Sequence, residues 1–463
     1  MNILLSALLV VLVLSLPYWL PPLIIRLRMN IFTRINGEQA IQLPDENFDA
    51  DDFRELYAHP AMTGRSKGAT LSDLFWYWLS PGPEMHPEHL EQGERYQQLS
   101  RLTRQIMAMS RKDIEALIDQ YQHDPLKLGL NSKRKWTHIR LRDMFMPLWA
   151  DFFYQVVFKQ PCSDAARKLI VDHASDVVNA LKCCKLRNMS KRDQLTRFIL
   201  DKLEQGHFPY EFPEGLTRLE QAHYLQGAFF NTAIVQMSEA MAHLILAIAQ
   251  HPACQKQLRN SEDNHYLDDV INESLRLNPL FGIAHRIVTE TVEFKGRTIP
   301  KNTVVCFNYP EYHKMGYDRP DQFNPERWQS CPAKDANFMP FGVSSNRSCP
   351  AQGIAMISMR KLARQLIDNY TFASPIKHTR SMPNRGPCLV MTASATPEHW
   401  LIQKAVFPAM KILDRWEDLY RSIIQLIFGT IMILHAKKLK LCEHYFDQLN
   451  NQHLSPTPSD TLH

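Results

Sequence analysis

The chain has 463 residues, with 53 Lys and Arg against 48 Asp and Glu for a formal charge of +5. Its basic residues are dispersed, and no Lys/Arg block is interleaved with aromatics, so nucleic-acid binding has no support. The nine cysteines, an odd number without a C-x-x-C pair, argue against a zinc ribbon or a disulfide framework and for a reducing compartment.

Residues 1–25, MNILLSALLVVLVLSLPYWLPPLII, carry no charge, and Arg26, Arg28 and Arg34 come directly after them. About twenty apolar residues suffice to cross about 30 Å of hydrocarbon. Positive charge on the C-terminal flank of such a span favours the cytoplasmic side. Residues 1–28 therefore read as a transmembrane anchor, with the remainder of the chain facing the cytoplasm; no small-x-small cleavage site succeeds the run. Pro17, Pro21 and Pro22 are expected to kink or end the helix.

From about residue 45 the chain reads as mainly α with a small β part (α+β). Helical periodicity is clearest at 88–120, 136–158, 163–184, 190–205 and 350–370. The longest helical stretch, 217–250, closes at His251-Pro252 and would run about 50 Å at 1.5 Å per residue. Its apolar centre implies burial on most sides. Strand patterns come next at 285–294 and 303–307, with KGR at 295–297 as a turn. Residues 45–395 read as one large domain and 396–463 as a helical extension whose last dozen residues are expected to be disordered. Within it, the thirteen uncharged residues 422–434 make only about 20 Å of helix, short for a crossing. A core helix, or an interfacial one beside the anchor, fits them better.

The candidate chemistry is spread over four features. Trp136 and Arg140 lie four apart in WTHIR, one turn of the expected helix, so an indole N–H and a guanidinium share a face. Glu273 and Arg276 form an E-x-x-R pair, and Asn324-Pro-Glu-Arg327-Trp328 lies downstream. Alone, E-x-x-R is common on exposed helices and contributes a few tenths of a kcal/mol. Joined to Arg327 it would make a buried cluster whose rupture strands a charge. Arg286 falls where a strand should begin. The stretch FMPFGVSSNRSCPAQGIAM, 338–356, holds Cys349 behind a Phe-Gly start and Arg347; by itself, that cysteine serves equally well as a helix-capping residue.

In this order and spacing, E-x-x-R, P-E-R-W and a Phe-Gly loop with R-x-C resemble the cytochrome P-450 superfamily over about residues 50–395. The resemblance implies haem b, iron protoporphyrin IX, with Cys349 as the thiolate ligand of its iron. Backbone N–H groups of the loop would hydrogen-bond the sulfur. It implies Trp136, Arg140, Arg286 and Arg347 as partners of the haem propionates, and Glu273, Arg276 and Arg327 as a structural triad. It further implies a monooxygenase that inserts oxygen from O2 into a hydrophobic substrate, with electrons from a reductase or ferredoxin. Phe229, Phe230, Ile234 and Val235 of the long helix are expected to line the substrate pocket.

The sequence departs from the family pattern in two places. Phe341 stands eight residues before Cys349 rather than seven, and Ser344 and Ser345 occupy the place of a glycine, so Asn346 is expected to take the left-handed turn. Counted back from His251-Pro252, the acid/alcohol pair that relays protons falls on Val235 and Gln236. Gln236 can hold a water but has no ionisable proton; Glu239, one turn on, is the other candidate for the relay. This keeps two alternatives open. One is a haem-thiolate enzyme that works on a peroxide or as an isomerase or dehydratase; the other is a non-catalytic haem-binding protein.

Overall fold

In the computed structural model the described residues are 2–37, 40–120, 136–261, 264–379, 382–392 and 402–454. The first helix, α1 (Asn2–Asn36), runs through Pro17, Pro21 and Pro22, so of the kink or end expected there the end does not occur. Each proline removes one N–H, but the flanking apolar turns continue the helix on both sides.

The main body is built in chain order. β1 (Ala40–Leu43) leads to α2 (Ala50–Ala58), which starts at a capping box between Asp49 and Asp52. α3 (Thr70–Leu79) comes after it. The expected helix at 88–120 is two helices, α4 (Glu94–Met107) and α5 (Arg111–Asp119). Ser110 caps the second, which forces the break. The expected helix at 136–158 also divides. Trp136–Arg140 is a strand, β2, and only Leu141–Phe158 is helical, α6. α7 (Asp164–Leu181) and α8 (Met189–Glu204) match their expected positions closely.

The long helix is present as α9 (Arg218–Gly227), a π-helical segment at Ala228–Ala233, and α10 (Ile234–Gln250). It opens on a Thr217/Glu220 capping box and ends where Pro252 begins α11 (Pro252–Asn260). α12 (His265–Leu277), β3 (Ile283–Ile287), β4 (Val292–Phe294), β5 (Arg297–Ile299) and β6 (Val304–Asn308) come next. Lys295 and Gly296, both with positive φ, make the two-residue turn between β4 and β5, as hairpins of this type require. Short helices α13 (Tyr309–Tyr312) and α14 (Arg327–Ser330) precede α15 (Gln352–Asn369), β7 (Tyr370–Ala373) and β8 (Pro387–Thr392).

Three small sheets brace this helical body. β1 pairs parallel with β6 and β3 pairs antiparallel with it; β2 and β7 flank β8; β4 and β5 form a ribbon. The principal core packs α6, α10, α12 and α15 around Trp149, Phe153, Ile245 and Leu362. The fold is thus mainly α with a small β part, as read from the sequence.

After residue 401 two further helices form, α16 (Phe407–Leu439) and α17 (Leu441–Leu454). The uncharged run 422–434 is the middle of α16, which lies along α1. α17 packs on α3, where Asp73 accepts from the first N–H groups of the new helix, Cys442 at 2.8 Å. The expectation of disorder covers 452–463; residues from 455 onward lie outside those described.

Candidate haem-thiolate site

Cys349 sits in the loop that leads into α15. The loop closes on itself through the Cys349 N–H donated to the Phe341 carbonyl at 2.9 Å. Its left-handed residues are Gly342 (φ 72) and Arg347 (φ 55), and not Asn346 as expected. Asn346 is buried instead, and its Nδ2 donates to the carbonyls of Tyr57 at 2.7 Å and Met62 at 3.2 Å. That amide pins the loop to the end of α2, and the turn moves one residue on. Arg347 is held there by bonds from Nη1 to the carbonyls of Pro87 (2.9 Å) and Leu90 (2.6 Å). Its guanidinium lies 3.9 Å from the ring centroid of Tyr96 on α4.

The thiol of Cys349 is only partly covered. Burial pushes its pKa up, the Ala351 N–H that it accepts pulls it down, and the Glu88 carboxylate nearby raises it again.

Three arginines converge beside this loop. Arg286, on β3, lies 3.2 Å from Glu88 and donates through Nη2 to the Tyr57 hydroxyl at 2.6 Å. Arg65 lies 3.6 Å from the same carboxylate and donates to Asn346 at 3.1 Å. Arg347 is the third. Burial alone would raise the pKa of Glu88, but Arg286, Arg65 and Arg347 outweigh it and hold it at about 2. Burial brings Arg65 down to about 9 despite Glu88. Three guanidiniums thus face the Glu88 carboxylate and leave an excess of positive charge. Glu91, close by, is taken up by the backbone N–H groups of Arg65, Ser66 and Lys67. Four guanidinium nitrogens have no hydrogen-bond partner: Nε of Arg65, Nε of Arg286, and Nε and Nη2 of Arg347. Glu88 keeps 35 % of its side-chain surface uncovered.

The long helix shows the same sign. From Tyr224 to Ala249 every residue is buried except Thr232 and Gln236, which are four apart and share a face. Gln236 Oε1 has no hydrogen-bond partner. Phe229, Phe230 and Ile234 are fully buried in the core and Val235 nearly so, so the uncovered face is not the one expected from sequence. Glu239 is committed elsewhere. Arg142 of α6 lies 3.1 Å from its Oε1, and Lys182 at the end of α7 also bonds it. Burial lowers Lys182 to about 8 against the pull of Glu239. A carboxylate shared by two buried cations joins three helices, and the relay expected of it is not supported.

Trp136 and Arg140 are not on a helix. β2 carries them, and four residues along a strand span about 13 Å. Arg140 donates to the Asn384 carbonyl (2.8 Å) and to Glu417 (2.7 Å), and Trp136 is 40 % exposed. No described contact brings either to Cys349.

The structural triad forms as expected. Arg276 donates to Glu273 from Nε and Nη2, both at 2.9 Å, and Arg327 Nε reaches the same carboxylate at 3.2 Å. The Asn324 N–H completes it at 3.0 Å.

Sequence reasoning missed Arg65, Glu88, Tyr57 and Tyr96. The only signal was the run His86-Pro-Glu-His-Leu, an acid flanked by histidines in a proline-rich loop, which has no motif to mark it.

Comparison with known proteins agrees with this geometry. The family profile "Cytochrome P450" matches residues 131–399, more than half of the chain. Cytochrome P-450 3A13 of Mus musculus is 32% identical over 163 residues, 31% of this chain and 32% of the relative. Ent-kaurenoic acid oxidase of Oryza sativa subsp. japonica is 30% identical over 157 residues, 32% of this chain and 31% of its own length. The chain thus matches about a third of the length of these curated relatives. In fold, a zebra fish cytochrome P-450 with progesterone superposes at TM-score 0.60 and 16% identity, covering 74% of this chain and 92% of that one. Cytochrome P-450 OleT in complex with arachidonic acid gives 0.62 at 13% identity, covering 77% and 88%.

Proposed function

The chain belongs to the cytochrome P-450 family, whose members bind haem through a cysteine thiolate, and from that premise we propose that it is a haem-thiolate monooxygenase acting on a hydrophobic organic substrate. The observation that carries this reading is the arginine cluster beside Cys349. Its excess of positive charge and the guanidinium nitrogens of Arg286 and Arg347 that lack a hydrogen bond fit the two carboxylates on one edge of a porphyrin.

When bound, haem supplies the oxygen and one-electron chemistry. The rest is done by this chain. Cys349 would hold the haem iron through its sulfur. Arg286, Arg347 and Arg65 would hold the propionates, in place of the expected pair Trp136 and Arg140. Gln236, with an unpartnered Oε1 on the uncovered helix face, positions a water. Residues 1–28 anchor the domain of residues 45–395 to a membrane, with a reductase or ferredoxin as electron donor.

A second reading, a peroxide-dependent or isomerase-type reaction, is favoured by one specific feature. Neither Thr232 nor Gln236 carries a carboxyl, and Glu239 is tied to Arg142 and Lys182, so the uncovered helix face offers no ionisable acid. Turnover with hydrogen peroxide but with no electron donor would select it.

The decisive experiment is the carbon monoxide spectrum of the reduced protein. A red-shifted Soret band typical of thiolate ligation is expected, lost in Cys349→Ala and retained in Cys388→Ala. An unchanged band in Cys349→Ala overturns the assignment.

A further inference from the structure

α16 is turned inside out for a helix bathed in water. Asp414, Glu417, Arg421 and Gln425 turn toward the protein, while Lys411, Arg415, Lys437 and Lys438 are exposed. Asp414 accepts from Asn384 at 3.0 Å, Glu417 pairs with Arg140 at 2.7 Å, Gln425 donates to the Lys182 carbonyl at 2.9 Å, and Arg421 is buried. Its outward face carries Ile412, Trp416, Ile423, Ile427, Ile431 and Leu434, each between 37% and 55% exposed. The steps between them, mostly three, four and seven residues, make one continuous stripe along the helix. Monomeric proteins in water rarely display so long an apolar strip.

The stripe continues the surface of α1. The two helices run parallel: the Arg415 guanidinium lies 4.4 Å from the ring centroid of Tyr18, Arg28 donates to Gln425 at 2.9 Å, Gly429 abuts Phe32, and Lys437 bonds the Ile35 carbonyl. Between Leu4 and Leu14 every residue of α1 is exposed, and all but two are Leu or Val, so that half is apolar all round. A second protein covers one face of a helix, whereas hydrocarbon covers all of them. Lys437, Lys438 and Lys440 then close the stripe with exposed positive charge, which suits an anionic lipid surface.

We propose that the outward face of α16, from Ile412 to Leu434, lies in the interfacial layer of a lipid bilayer, so that helices from both ends of the chain hold the protein on the membrane. The proposal deepens the anchor reading of residues 1–28 and rests on it.

The test uses the full chain reconstituted into vesicles of phosphatidylcholine and phosphatidylglycerol. A nitroxide is attached through an unnatural azide-bearing residue at 427, 438 or 8, which leaves the nine native cysteines unlabelled. At 427, collisions with dissolved oxygen relative to a water-soluble nickel chelate are expected to exceed those at 438 several-fold, approaching the ratio at 8. A label at 8 in lipid with 427 as open to nickel as 438 overturns this proposal and leaves the anchor standing. Shielding of 427 from both reagents, with spin–spin broadening, assigns the stripe to a second copy of the chain and also overturns it. A label at 427 in lipid with 8 in water supports α16 and sinks the anchor reading instead.

Discussion

The glutamate–arginine clusters around Glu273 and around Glu88 differ in one respect. Around Glu273, every guanidinium nitrogen of Arg276 and Arg327 finds an acceptor: the carboxylate itself, or the carbonyls of His313, Asp318, Arg319 and Gln322. Around Glu88, three guanidiniums share one carboxylate, and among the described residues Nε of Arg286 and Nε and Nη2 of Arg347 have no hydrogen-bond partner. Buried polar groups are nearly always satisfied in native proteins. A saturated cluster therefore has nothing left to bind and serves to hold segments together, while an unsaturated one beside a partly uncovered cysteine is equipped for an anionic guest. The composition of the two is nearly the same; the bookkeeping of donors separates them.

The largest effect expected from this contrast is in the saturated cluster. Arg276→Ala leaves the wholly buried Glu273 with Arg327 and the Asn324 N–H alone, and breaking a buried pair of this kind costs about 3–5 kcal/mol. Urea unfolding should show that loss, with little folded protein left to load with haem. A variant of normal stability and haem content would remove the structural assignment.

Glu239→Gln should come second. The amide keeps the shape but leaves Arg142 and Lys182 without their countercharge, at a cost of about 1–3 kcal/mol. The comparison is sharpened because this carboxylate sits on the helix expected to deliver protons. Lost stability with unchanged turnover per bound haem puts Glu239 in the saturated class; the reverse pattern restores it as a relay.

A third, smaller effect appears in the pH dependence of the unsaturated cluster. Glu88 is held at about 2, below its ordinary value of 4.5. A carboxylate with a depressed folded-state pKa contributes its stabilisation in full above the ordinary value and loses it as pH falls toward the folded one. Stability of the native chain should thus decline between about pH 4.5 and 2 more steeply than that of Glu88→Gln, as chemical denaturation at each pH would measure. Parallel curves would mean that Glu88 carries no such charge coupling.

The sequence revealed those parts of the fold and site that depend on contiguous residues. Glu273 and Arg276 share one helical turn, and Cys349 comes after Arg347 within one loop, so short motifs carried both. The long helix was legible because its period and its proline stop are local. Trp136 and Arg140 misled because a spacing of four places two side chains on one face in a strand as well as in a helix, and the pairing of β2 with β8 depends on residues some 250 positions away. The Glu88 cluster could not be read for the same reason. Arg65 meets Asn346 across a separation of 281 residues, and its neighbours Glu88 and Arg286 arrive from two further segments. In α16, the pattern of apolar residues was visible, but which face would be turned outward depended on partners such as Arg140 and Asn384 far back in the chain.

The smallest effect gives the finest test of the comparison, through the same conservative change made in each cluster. Arg347→Lys keeps the charge but loses the planar contact with Tyr96 and one of the fixed directions in which a guanidinium donates. At a partly exposed site, that stacking is worth about 0.5–1 kcal/mol, so the unfolding midpoint should hardly move. Transfer of haem to an acceptor globin should nevertheless become several-fold faster, because the nitrogens removed are those without partners inside the protein. Arg327→Lys should do the opposite, lowering the midpoint through lost bonds to Glu273 and to the carbonyls of Asp318 and Arg319, with haem transfer unchanged. If both variants accelerate haem transfer equally, donor saturation does not distinguish a binding cluster from a structural one in this protein.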